Sequence, residues 1–85
     1  MSNSEINNFF DSKNISVGDC VRIDFKNRQH LFGFFIKAGD FEELSAKNFW
    51  RIVLKENANK WEATHQLDFA KIFNGSAITR LSISK

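Results

Sequence analysis

Apolar and polar residues alternate with a period of two over residues 18–25, where Val21, Ile23 and Phe25 are separated by Arg22 and Asp24 after a Gly18-Asp19 turn signal. Side chains of a strand point alternately to opposite faces, so this run predicts a half-buried strand. After the polar turn Lys26-Asn27-Arg28-Gln29, residues 30–37 predict a second strand that is apolar on both faces, with Leu31 and Phe35 on one and Phe32, Phe34 and Ile36 on the other. Gly33 within it marks a place to bend. Residues 48–55 predict a third strand of the same kind, with Phe49 and Val53 opposed to Trp50, Ile52 and Leu54. Some of these rings must meet a helix or a neighbouring chain.

The remaining pattern is helical or turn-like. Residues 4–12 set Ile6, Phe9 and Phe10 on one stripe, with Ser4 available as N-cap, and this helix is expected to lid one end of the sheet. A loop is expected over 13–17. Residues 38–47 carry Asp40, Glu42 and Glu43 and read as a flap or a single helical turn, whereas 57–66 predict a short helix with Trp61 and His65 stacked at i, i+4. Two last strands are expected at 69–73 and 78–83, joined by Asn74-Gly75 as a tight hairpin with positive φ. The chain therefore reads as one domain over 1–85, mainly β with short helices: a small, five-stranded, strongly bent barrel, with an N-terminal helix and a short helix or insertion between strands 3 and 4.

Composition sharpens this picture. Eighty-five residues build one core, and ten Phe and two Trp supply the apolar area that so short a chain needs. A formal charge of +2 permits an anionic partner without demanding one. The lone Cys20 excludes an internal disulfide and fits a reducing compartment; with no apolar run of membrane-spanning length and no signal-like start, the expected location is cytoplasmic, with no membrane partner.

Candidate chemistry is sparse. His30 and His65 lack the spacing of a metal pair, Cys20 has no base beside it in sequence, and four glycines form no phosphate loop. No catalytic residue, metal or cofactor is expected, and the chain does not read as an enzyme. Stacking planes and cations for a single strand of RNA are available in Trp50-Arg51, Trp61, Lys71 and Arg80. Strands apolar on both faces point instead to a protein partner or to self-assembly.

The run Gly18-Asp19-Cys20-Val21-Arg22-Ile23-Asp24-Phe25-Lys26-Asn27, with Gly33 and Phe35 beyond it, resembles the first motif of the Sm-like family. Arg51-Ile52-Val53-Leu54-Lys55 resembles the strand that follows, and Ile72-Phe73-Asn74-Gly75 with Ile78 and Leu81 resembles the second motif. The resemblance implies a helix-capped Sm-like barrel, assembled as a homo-oligomeric ring through its last two strands, that binds single-stranded RNA near the loops after strands 2 and 4. Asp40 takes the place of the family's aspartate with a one-residue shift, Arg51 stands where its asparagine falls after an insertion, and Asn74 replaces the arginine before Gly75. These altered positions leave two expectations: RNA binding through Asp40, Trp50, Arg51, Asn74, Gly75 and Arg80, or a protein-assembly module that has kept the barrel and lost RNA.

Overall fold

The computed structural model describes residues 1–13 and 18–84. The loop expected at 13–17 therefore lies outside the described residues apart from Lys13. The N-cap of helix α1 (Asn3–Ser12) lies two residues before its candidate: it is Ser2, not Ser4. Ser2 Oγ accepts from the Glu5 N–H at 3.2 Å while Glu5 Oε1 accepts from the Ser2 N–H at 2.9 Å, a reciprocal box that satisfies two otherwise orphaned donors. Hydrogen bonding from Ser2, its backbone N–H first and its side chain second, holds the Glu5 carboxyl below its ordinary pKa.

Five antiparallel strands follow: β1 (Cys20–Phe25), β2 (Leu31–Phe35), β3 (Phe49–Leu54), β4 (Ala70–Asn74) and β5 (Ile78–Ile83). Their order in the sheet is β4-β3-β2-β1-β5. Opposed pairs such as Val21↔Gly33, Gly33↔Leu54 and Phe35↔Ile52 put the apolar set of each strand on one face. There Val21, Ile23, Phe35, Trp50, Ile52, Ile78 and Leu81 pack with Ile6, Phe9 and Phe10 of α1. Gly33 lets the neighbouring strand approach closely, since a Cβ on it would lie 2.6 Å from the Val53 carbonyl oxygen. The register shift in the sheet falls not at Gly33 but at Asp24/Phe25, where β1 meets β5.

Two helices fill the long connections. The 38–47 segment is helix α2 (Phe41–Ala46) rather than a flap. The 57–66 segment forms helix α3 (Ala58–Thr64), entered through a 3-10 turn at Lys55–Asn57; Asn57 occupies the N-cap position, but its side chain makes no capping bond. The second apolar faces of β2 and β3 meet α3: Ile36, Val53 and Ala70 cluster with Phe34 and Trp61. Trp61 and His65 stack at 5.2 Å, as their spacing predicts. Phe32 is left exposed.

The Asn74-Gly75 hairpin is corrected. No glycine has positive φ, and Gly75–Ala77 forms a 3-10 turn that carries the chain from one edge of the sheet to the other, β4 pairing only with β3 and β5 only with β1. Three residues of 3-10 helix advance about 6 Å. In a flat sheet, edges four strand spacings apart would be about 19 Å from each other. The sheet must therefore curl until the end of β4 approaches the start of β5, and the Lys26 N–H donating to the Ala77 carbonyl at 3.0 Å helps to fix that turn against β1.

Candidate functional site

At one end of the curled sheet the connection through α2 meets the connection between β4 and β5. The meeting point is Asn48, the residue after the C-cap of α2, in the left-handed region at φ 64°. Asparagine adopts this conformation at lower cost than most residues, which lets the chain leave α2 and enter β3 at once. Every polar group of Asn48 is used. Its N–H donates to Ser45 O at 3.0 Å, and its carbonyl accepts from the Gly75 N–H at 2.8 Å. Nδ2 donates to Met1 O at 2.9 Å, and Oδ1 accepts from the indole Nε1 of Trp50 at 2.8 Å. The Met1 amino group in turn donates to the carbonyls of Gly75, at 2.9 Å, and of Ile78.

This network explains Gly75 without reference to φ. A Cβ there would lie 2.1 Å from Asn48 Oδ1, so glycine is required by the side chain laid across it. Asn74 caps the 3-10 turn, its Oδ1 accepting from the Ser76 N–H at 2.9 Å.

Asp40 and Arg51, separated in sequence by α2, come together as a two-pronged ion pair: Nε to Oδ1 at 3.2 Å and Nη2 to Oδ2 at 2.9 Å. Asp40 stands at the N-cap position of α2 but gives its carboxylate to Arg51 rather than to the helix. The hydrogen bonds from Arg51 hold the Asp40 carboxyl below its ordinary pKa, and the same bonds raise that of Arg51. A second anchor ties α1 to α2, Asn3 Nδ2 donating to Ser45 O at 3.2 Å.

The six sequence candidates thus separate. Asp40, Arg51, Asn74 and Gly75 belong to this end of the sheet. Trp50 is 2% exposed, with Phe35 and Phe41 against it edge-on at 5.6 and 5.9 Å, so its ring offers no plane for a base to stack on. Arg80 is exposed on β5, in register with Asp24 of β1, away from the β3–β4 side where Arg51 opposes Ile72. Asp24 itself pairs with Arg22 at 3.2 Å. Among the described residues no three His, Cys, Asp or Glu side chains gather as a metal group would require.

One feature was missed from the sequence. Asn48 was read only as the start of a strand; an asparagine directly after an acidic helical segment was the available signal for a left-handed helix exit. The sheet edges fall on the last two strands, those through which the resemblance implies assembly. β4 and β5 each have one hydrogen-bonded neighbour, and each carries a large exposed aliphatic side chain, Ile72 at 49% and Ile83 at 46%. Phe49, diagonal to Ile72 across β3 and β4, is exposed as well. Strand edges of soluble proteins are usually blunted by charge, proline or cover; the chain has no proline, and Lys71 and Arg80 are the charges that these two strands carry.

Comparison with known proteins adds no relative: no family model, curated protein or solved structure matches this chain. No helix among the described residues is long and apolar enough to cross a membrane.

Proposed function

We propose that this chain is a non-catalytic assembly module of the Sm-like, SH3-like barrel class, which joins copies of itself through its two open sheet edges. The barrel reading is supported by the strand order β4-β3-β2-β1-β5, the N-terminal helix over the core and the 3-10 turn that carries the chain between the edge strands. The observation that carries the assembly reading is the pair of unpartnered edges bearing Ile72 and Ile83. Joining β4 of one copy to β5 of the next would satisfy both rows of backbone groups, and covering what is still exposed of each half-buried isoleucine would add about 1 kcal/mol. Such a contact is head-to-tail, so repetition of it closes a ring or extends a filament. A cytoplasmic setting suits the single free cysteine.

The alternative, RNA binding at Asp40, Arg51, Asn74 and Gly75, has less support: Arg51 is neutralised by Asp40, and Asn74 is engaged in its own turn. Size-exclusion chromatography with light scattering, read at 260 and 280 nm on protein purified without nuclease, tests both. A nucleic-acid-free oligomer that becomes monomeric on Ile72→Lys or Ile83→Lys, with each variant still folded by circular dichroism, is the expected result. A wild-type monomer overturns the assembly reading. Co-purifying nucleic acid that high salt removes, as counterion release requires, transfers support to RNA.

A further inference from the structure

Between α3 and the sheet lies a cleft of about 190 Å³ lined by Gly18, Phe34, Ile36, Trp61, Glu62 and His65. Half of these residues are aromatic. The stacked rings of Trp61 and His65, 19° from parallel, are set by the end of the helix: His65 takes φ 53° and its N–H donates to Trp61 O at 2.7 Å. Phe34 and Trp61 are further fixed by packing on Ile36, Val53 and Ala70. This wall is in place before any ligand arrives. Glu62 brings a carboxylate to the cleft that makes no hydrogen bond or ion pair among the described residues. The cation–π contacts found among those residues, Arg28 over Phe25 and Lys37 over Phe41, lie elsewhere, so neither supplies a cation to this cleft.

We propose that this cleft binds a small quaternary ammonium group, a trimethylammonium head of choline size. Ring faces attract a cation through their quadrupole, and the weakly hydrated methyl surface of a quaternary ammonium is shed into an apolar pocket at low cost. A primary ammonium carries three N–H donors that would need acceptors, and the side chains of the lining offer the Glu62 carboxylate and one imidazole nitrogen of His65; a quaternary nitrogen has no such requirement. Glu62 supplies the complementary charge. The volume is below the roughly 300–1,000 Å³ of drug-sized sites, which suits a head group and not a large ligand.

The test is a titration of the full-length, ¹⁵N-labelled protein with choline and with its neutral isostere 3,3-dimethylbutan-1-ol, followed at the Trp61 indole N–H and the backbone amides of Phe34, Ile36 and His65. Saturable shifts confined to this cleft are expected, with the isostere at least about threefold weaker. Glu62→Gln, an exposed change that leaves the core untouched, should weaken choline several-fold and leave the isostere unchanged. Nε-trimethyllysine in a parallel titration separates a modified side chain from a free head group, and preference for either supports the site. Equal binding of choline and the isostere, shifts that map outside the cleft, or no saturable change overturns the proposal.

Discussion

Asn48 is the residue on which the end of the sheet depends, because one side chain satisfies a buried indole donor, holds Met1 and lies across Gly75. Substitution separates these roles. Asn48→Gly keeps the left-handed backbone but strands the Trp50 Nε1–H, at a cost of about 1–3 kcal/mol. Asn48→Ala adds about 1–2 kcal/mol, because a Cβ without a compensating hydrogen bond disfavours φ 64°. Chemical denaturation of the two variants reads the difference directly. Gly75→Ala in the wild type drives its Cβ into Asn48 and is expected to cost about 1–3 kcal/mol. In the Asn48→Gly background most of that cost should vanish, since the three atoms nearest to the added Cβ all belong to the Asn48 side chain. Additive losses would show that the clash is not the reason for glycine at this position. Trp50→Ala, which empties the space among Phe35, Phe41 and Ile52, should lower stability by about 3–5 kcal/mol.

At the scale of the element, helix α2 is held by an ion pair rather than by its own cap. The sign of the pH effect follows from the depressed Asp40 pKa. A carboxyl whose native pKa lies below its unfolded value of about 3.9 contributes stability that is present above that value and lost as pH falls through the lower native one. Urea midpoints followed from neutral pH down to acid should therefore fall more steeply for the wild type than for Asp40→Asn in the acid limb. Parallel curves would mean that the pair adds nothing to stability, as is common for exposed pairs. The lengths of the elements were largely legible: the strands at 20–25, 31–35, 49–54, 70–74 and 78–83 lie within two residues of the expected runs, because apolar runs and the turn residues that bound them are local features of the chain. The Ser2 cap was legible too but was passed over for Ser4: both precede the stripe, and only Ser2 has Glu5 three residues on to complete the box.

For the whole molecule, the decisive prediction is that edge substitutions change mass but not fold. Ile72→Lys and Ile83→Lys place a charge where two edges would meet, so each alone should break a head-to-tail assembly, and mixing the two variants should leave one intact pair of edges and yield a dimer at most. Light scattering of the mixture distinguishes this from a symmetric interface, in which a single edge pairs with its own copy and the other substitution has no effect.

What the sequence alone determined was the set of strands, the N-terminal helix and part of the core face. Val21 and Ile23 declare themselves by alternation, and Ile6, Phe9 and Phe10 by helical spacing, each over a few neighbouring residues, whereas the second and third strands are apolar on both faces and the fold decided that Phe35, Trp50 and Ile52 turn to this core. What only the tertiary structure decided was every relation between distant residues. Asn74-Gly75 reads locally as a hairpin, yet the strand partners place β4 and β5 on opposite edges and Gly75 under Asn48. Arg51 reads as a free cation until the chain returns Asp40 to it across α2, and Trp50 reads as a stacking plane until Phe35 and Phe41 close on it. Periodicity reports which way a side chain points; what it meets there depends on how the sheet curls, and that is set by pairings far apart in the chain.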